Sequence, residues 1–192
     1  LTIQAVTVPG AGCYDVTLSL AASSPTLVFA LADAKTATCP ITLSGTAATG
    51  APLAGAKITV SDKTGNEVGS QAAANEDGTF KVILAPAAAA PFVLNATRDD
   101  DELVSVAPDA SAGNVNITPV TNLIASLMSS NGDPKQLSKD IKSNPAAANA
   151  GAVSAKVAEV NALLKPVTDA AGIAIDPLTG KFTADGSGYD RI

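Results

Sequence analysis

The sequence predicts a mainly β protein with a helical C-terminal part, in which an antiparallel β-sandwich is followed by an α-helical segment. Up to Thr118, short runs rich in β-branched residues alternate with turn residues, which is typical of an all-β region. From Pro119 onward the apolar residues recur at helical spacing. At 192 residues with 46% hydrophobic content, the chain is long enough to bury a substantial core.

The first segment, residues 1–39, is predicted to contain three strands, LTIQAVTV, YDVTLSL and TLVFAL. The first of these has no charged residue and carries apolar residues on both faces, a pattern typical of strands buried on both sides. We therefore expect it to be buried. Its partner is either the sheet of the same chain or, by β-strand addition, the sheet of a neighbouring copy, and repeated addition of that kind would generate a filament.

The two cysteines, Cys13 and Cys39, bracket this β-rich segment. A disulfide between them fits an exported protein, because disulfides persist in oxidising compartments. Two buried free thiols in a cytosolic protein are the alternative, and we expect the disulfide. Because the chain starts at Leu1 rather than at a methionine, we also expect that a targeting segment has been removed.

Residues 40–118 are predicted to form the sandwich, with turn residues at short, regular intervals. Its strands are predicted at ITLSGTA, AKITVSD, EVGSQAA, TFKVIL, FVLNATR, ELVSVAP and NVNIT. Residues 119–192 are predicted to form a helical segment that packs against the sandwich and ends in a loop with a short strand at 181–184. Its helices are expected near 119–130, 134–143 and 150–170, the first capped by Thr118, with apolar stripes that contact the core.

Three short motifs in the sandwich region carry a family resemblance. A first strand ends in LSGT, a PLAGA segment leads into the next strand, and the turn NEDGTF opens a later one. Together they resemble the carboxypeptidase regulatory-like and Cna-B-like group of Ig-type β-sandwich domains. The resemblance implies an Ig-like fold in a bacterial surface or envelope protein, but no particular activity, since such domains serve as spacers, stalks and binding modules.

One feature of Cna-B-type pilin domains is not expected in this chain. Those domains often carry an internal isopeptide bond whose lysine lies on the first strand. The corresponding strand here, residues 41–46, contains no lysine, and Lys57 lies one strand later. The sequence therefore predicts no such crosslink.

The composition argues against most enzyme classes and against binding to nucleic acid. The chain has no histidine, which excludes Ser-His-Asp and Cys-His catalysis and imidazole metal ligands. A glycosidase that uses a pair of carboxylates remains, but only 3% of the residues are aromatic, which is few for a sugar-binding cleft. The net charge of −6 argues against nucleic acid and against an anionic membrane surface, and no apolar run is long enough to span a membrane. We expect no catalytic residues and no organic cofactor.

Acidic residues in three turns are weak candidates for calcium binding, since carboxylates are the ligands that calcium prefers. None of the three turns has the spacing of an EF-hand loop. Aspartates also shape turns without binding any ion, and this is the interpretation we favour. The candidates are Asp77 in the first turn, Asp99, Asp100, Asp101 and Glu102 in the second, and Asp185 in the third.

The sequence thus favours a non-catalytic structural module of a bacterial cell-surface or extracellular protein, such as a stalk, an adhesin domain or a subunit of a surface fibre. Its expected partners are proteins, including copies of itself joined through the N-terminal strand. The alternative is a ligand-binding domain of lipoprotein type in the periplasm or envelope. Both interpretations predict export.

Overall fold

Residues 2–8, 12–21, 28–111 and 113–191 are described by a computed structural model. The chain is mainly β, with antiparallel sheets followed by helices, and this confirms the predicted fold class. It divides into two compact units, Leu1–Ile41 and Thr42–Ile192. The three domains expected at 1–39, 40–118 and 119–192 stay a prediction.

The N-terminal unit is a three-stranded antiparallel sheet in the order β1-β2-β3, formed by Thr2–Val8, Gly12–Ala21 and Val28–Ala37. Its strict alternation separates apolar from charged residues. Val16 in β2 lies opposite Ile3 of β1 and Ala34 of β3, whereas the preceding residue of β2, Asp15, lies opposite Lys35. One face of the sheet is therefore apolar, and the other carries the charges.

Strand β1 lies at the edge of this sheet and is paired with β2. The expectation that β1 is buried on both faces is wrong, because the side chains of Ile3 and Val8 are 43% and 41% exposed. An edge strand has a neighbour on one side only, so its apolar residues keep much of their contact with solvent. Two partners were considered for β1, the sheet of the same chain and the sheet of a neighbouring copy. In the structure β1 pairs with β2 of the same chain.

The second unit contains two antiparallel sheets, and the larger one is buried on both faces over part of its area. Successive residues of a strand point to opposite faces. Phe92 and Leu94 are fully buried on one face, while Val93 between them belongs to an apolar cluster formed with the helices. One sheet pairs β4 (Thr42–Thr46) with β7 (Thr79–Ile83), and the other has the order β6-β5-β8-β9, with β5 Lys57–Ser61, β6 Glu67–Gln71, β8 Phe92–Arg98 and β9 Asp101–Ala107.

Two predicted strands are not formed. The segment NVNIT runs along β4 but makes only isolated parallel bridges, Asn114 to Ser44 and Ile117 to Ala47. Residues 181–184 have no strand structure either. The backbone of NVNIT is still bonded to β4, because the N–H of Val115 donates to the carbonyl oxygen of Ser44 at 2.7 Å and that of Ile117 to Thr46 at 2.9 Å. The backbone N–H of Asn116 between them donates instead to Leu178, as described below.

Three helices follow, α1 at Pro119–Met128, α2 at Leu137–Ser143 and α3 at Ala150–Ala171, close to the predicted ranges. Thr118 is the N-cap of α1, as predicted, and it forms a reciprocal capping box with Thr121. The predicted apolar stripes are core contacts only in part. Ile124 and Val160 are fully buried, whereas Leu123 and Val167 are 40% and 54% exposed.

Helix α1 covers the free edge of β9. The backbone N–H of Val104 donates to Oδ1 of Asn122 at 2.9 Å, and the Thr121 hydroxyl donates to the carbonyl oxygen of Val104 at 3.3 Å. Side chains of a helix thus take the place of a further strand. Covering an edge in this way removes the unpaired groups that would otherwise template association with another chain.

Replacing Asn122 by alanine is expected to lower the free energy of unfolding by about 1–2 kcal/mol, because the part-buried N–H of Val104 would lose its acceptor. Urea denaturation followed by circular dichroism measures the loss. The matched control is Asn161→Ala on the exposed side of α3, which should change stability much less. Equal effects of the two substitutions would contradict the assignment of Asn122 as an edge cover.

Candidate functional site

Two of the calcium candidates, Asp77 and Asp185, use their carboxylates to close their own turns. Oδ1 of Asp77 accepts the N–H of Thr79 at 2.9 Å and its hydroxyl at 2.7 Å. Oδ1 of Asp185 accepts the corresponding groups of Ser187 at 2.9 and 2.6 Å. These hydrogen bonds hold the pKa of each carboxyl below its usual value. Both residues therefore have a structural role in the turns.

The acidic run Asp99–Glu102 covers the tight turn between β8 and β9 and the start of β9. Asp99 adopts a positive φ of 53°, a conformation that aspartate tolerates better than most residues. Asp101 lies 4.0 Å from the Arg98 guanidinium, and Glu102 lies 2.6 Å from Nζ of Lys135. The hydrogen bond and the charge of Glu102 raise the pKa of Lys135. Two of the four carboxylates are thus already paired with cations.

Among the residues that the structure describes, no three or more cysteine, aspartate or glutamate side chains come together in a group that could hold a metal ion. We expect millimolar calcium, the range in which extracellular modules bind it, to leave the thermal unfolding midpoint unchanged relative to excess chelator. Scanning calorimetry of the protein and of Asp77→Asn in both buffers checks this. A midpoint that rises with calcium in the parent protein and not in the variant would show that calcium binds at this turn.

The predicted disulfide between Cys13 and Cys39 is present. The two Cα atoms lie 5.1 Å apart, within the normal range for a disulfide, and the bond closes a loop over a sequence separation of 26. It joins the start of β2 to the residues that follow β3. Cys13 is only 3% exposed, whereas Cys39 is exposed to solvent.

Asn116 is a buried polar residue that the sequence did not single out. It is 1% exposed and lies between the fully buried Val115 and Ile117. Its side-chain N–H groups donate to the carbonyl oxygens of Gly180 at 2.6 Å and Pro177 at 3.4 Å.

The remaining polar groups of Asn116 are also used. Its backbone N–H donates to the carbonyl oxygen of Leu178 at 2.7 Å. Its Oδ1 accepts from the side chain of Asn114 at 3.1 Å and from the backbone N–H of Thr46 at 3.4 Å. One asparagine therefore connects β4, the segment after β9 and the C-terminal residues. In the sequence it belongs to an N-I-T pattern, which is typical of exposed asparagines, so its burial could not be inferred.

A groove of about 470 Å³ lies between α3 and the C-terminal residues. Its volume falls within the range of small-molecule sites. The polar part of its wall comes from one face of α3, where Lys165 and Asp169 form an ion pair at 2.9 Å beside Asn161 and Thr168. Tyr189 and residues 173–176 form the opposite wall.

Tyr189 is buried without a hydrogen bond. Its side chain is 9% exposed, its ring packs edge-to-face on Phe182 at 5.2 Å, and its hydroxyl is not in hydrogen-bonding geometry with any described residue. Burial raises the pKa of this phenol to about 12, opposed by the neighbouring Thr118 hydroxyl and reinforced by the charge of Asp176. The phenol is therefore neutral and inert as an acid or base near neutral pH.

Within the described ranges, every helix is too short or too polar to cross a lipid bilayer. Residues 32–114 match the model of a family described as a bacterial Ig domain, a range that contains β4 to β9. The chain thus contains an Ig-like domain. No curated protein and no solved structure matches the chain.

Proposed function

We propose that this protein is a non-catalytic structural module on the exterior of a bacterial cell, with its Ig-like domain acting as a stalk or adhesin-type unit. The finer assignment of that domain to the carboxypeptidase regulatory-like and Cna-B-like subtype is part of the same proposal. It rests on the LSGT, PLAGA and NEDGTF motifs of the sequence.

The observation that carries the proposal is the disulfide-closed N-terminal sheet, whose last strand overlaps the start of the range that matches a bacterial Ig domain. The disulfide closes a thin, three-stranded sheet, a type of structure that needs additional stabilisation in a small unit. Such a bond forms and persists outside the cytoplasm.

The roles of the polar side chains support a structural function as well. Asn116 joins three segments, Asn122 covers a strand edge, and Asp77 and Asp185 close turns. Residues of these types would otherwise be candidates for a binding or catalytic site. Here each of them stabilises the fold.

The redox state of the two cysteines in living cells tests the proposal. Producing cells are quenched with acid, and free thiols are then alkylated and counted by mass spectrometry. We expect Cys13 and Cys39 to be fully oxidised, as in an oxidising compartment. Two alkylated thiols in the protein from freshly quenched cells would contradict export.

As a finer proposal, copies of the protein associate through β1 into a surface fibre. The supporting features are the edge position of β1, its lack of charge, and the exposure of Ile3 and Val8. Charged residues are a common means of preventing edge-to-edge pairing, and β1 has none. A register shift between Ile3 and Val6 interrupts the regular edge, so Val6–Val8 is the stretch best suited to such pairing.

Deleting residues 1–8 is expected to abolish association while the protein remains soluble, because it removes the uncharged strand that is proposed to pair with a neighbouring copy. Analytical ultracentrifugation across a range of concentrations measures the association state. The matched control is Val6→Lys, which keeps β1 and adds one charge to the edge. Polymers that persist in both variants would end the fibre proposal.

A second candidate function is the binding of a small molecule in the envelope, and the groove between α3 and Tyr189 favours it. Native mass spectrometry of the protein purified from the envelope of producing cells tests this candidate. A bound mass that is lost in Thr168→Trp, which fills the groove, would support ligand binding. Identical spectra of the parent protein and of Thr168→Trp would contradict ligand binding in this groove and leave only the structural role.

A further inference from the structure

The C-terminal residues 173–191, which we call the strap, lie on the helices and on the end of the sandwich with little regular structure. Helix α3 ends at Ala171, and Gly172 follows in the left-handed conformation with a φ of 66°. In the strap, only five residues are buried: Pro177, Leu178, Ala184, Tyr189 and Asp190. The strap is therefore attached at a few points rather than along its whole length.

Two asparagines provide the hydrogen bonds that hold the strap. Asn116 donates to the carbonyl oxygens of residues 177, 178 and 180, and Asn114 donates to that of Thr179 at 3.1 Å. Within the described chain, the other hydrogen bonds of the strap are internal, except for the Ile173 N–H that closes α3 on Thr168. We call the pair Asn114 and Asn116 the clasp.

Packing around the strap is incomplete. Five clefts that are partly open to solvent, of about 160 to 470 Å³, lie in the described part of the second unit, and each is lined in part by strap residues. Side chains that border a gap lose the contacts they would make in a close-packed interior. The strap therefore gains less from packing than the strands it covers.

The main aromatic anchor of the strap is also imperfect. Tyr189 fills an apolar position against Phe182, but its buried hydroxyl, although it lies near that of Thr118, is not in hydrogen-bonding geometry with it. A buried polar group without a hydrogen bond costs free energy that is recovered when the segment opens to water. The hydroxyl of Tyr189 thus favours opening, whereas the clasp and the burial of Leu178 and of the Tyr189 ring in the apolar cluster oppose it.

We propose that residues 173–191 open as a unit, pivoting at Gly172, while the Ig-like sandwich stays folded. The opening breaks the clasp, hydrates Tyr189 and merges the clefts between the strap and the helices into one groove lined by α1 and α3. Val120 and Leu164, which border the groove between α3 and Tyr189, and Val153, which borders another cleft, become parts of one apolar surface. The strap is thus a cover whose closure is set by two asparagines, and this goes beyond the structural role proposed above.

Native-state hydrogen exchange of the full chain at increasing urea concentration tests the proposal. The reporters are the amide of Asn116, which donates to Leu178, and those of Leu178 and Gly180 within the strap; β8 and β9 report on the sandwich. We expect the strap reporters to share one opening free energy and one urea dependence, both smaller than those of the sandwich.

Two substitutions should change the rate of amide exchange in the strap in opposite directions. Asn116→Ala removes the main clasp residue and should speed exchange of the strap amides at least about tenfold. Tyr189→Phe removes the unpartnered hydroxyl and should slow it by about fivefold. Neither substitution should change how strongly the amides of β8 are protected compared with those of β9. Asn114→Ala, which removes a single bond to the strap, replaces Asn116→Ala if that variant does not fold.

Two results would overturn the proposal. One is exchange of the strap reporters at the same free energy and urea dependence as β8 and β9, which would mean that the strap opens only with the whole unit. The other is a different free energy for each reporter, which would mean separate local fluctuations without a common opening.

Discussion

Replacing Asn116 by alanine is expected to lower the free energy of unfolding by about 3 kcal/mol. The substitution removes the donors to the carbonyl oxygens of Gly180 and Pro177 and the acceptor for the Thr46 N–H, all in a region that excludes water. The backbone bond from residue 116 to Leu178 is kept. The free energy with which the strap docks sets an upper limit to the loss, because an open strap no longer needs these bonds.

Urea denaturation measured by circular dichroism gives the free energy of unfolding for Asn116→Ala and for its matched control, Asn114→Ala. Asn114 is half-buried and makes one bond to the strap, at 3.1 Å to Thr179, so its replacement should cost about 1 kcal/mol. If the free energies of unfolding of both variants equal that of the parent protein within experimental error, Asn116 does not hold these segments together.

Removing the disulfide by the double substitution Cys13→Ala and Cys39→Ala is expected to destabilise the N-terminal unit by about 3 kcal/mol, as estimated for a loop of this length. Three strands in a single layer bury too little apolar surface to remain ordered without support. We therefore expect the amides of β2 and β3 to lose their protection against hydrogen exchange.

The second unit is the internal control for this experiment, since its strands contain no cysteine. Protection in β8 and β9 should be the same in the variant as in the parent protein. Reduction of the parent protein should reproduce the effect of the double substitution. Unchanged protection of β2 and β3 in the variant would show that the sheet is stable without its disulfide.

The sequence predicted much of the fold because the signals were local and repeated. Strict alternation marked β2, the Thr118–Pro119 pair marked the start of α1, and both observed elements agree with these signals. The burial of β1 was predicted wrongly, since an uncharged apolar strand looks the same at the edge of a sheet as at its centre. The position of a strand in its sheet is a tertiary property.

The roles of single polar residues could be predicted only where their hydrogen bonds are made to residues close by in the sequence. Asp77 and Asp185 form bonds within two residues, and the turn interpretation of both came from local sequence. Asn116 and Asn122 bond across long stretches of chain, and nothing in their immediate sequence indicates a buried clasp or an edge cover. The cavities along the strap likewise depend on packing between distant segments.

Labelling of intact producing cells with a membrane-impermeant, amine-reactive reagent tests most directly whether this protein is a module of the cell exterior. Lys57 and Lys181 are exposed in the second unit and serve as reporters by mass spectrometry. We expect both lysines to be modified in intact cells, while a cytosolic marker protein stays unmodified. Modification only after the outer membrane is permeabilised would favour the alternative of a periplasmic ligand-binding domain. Modification only after complete lysis would contradict the account.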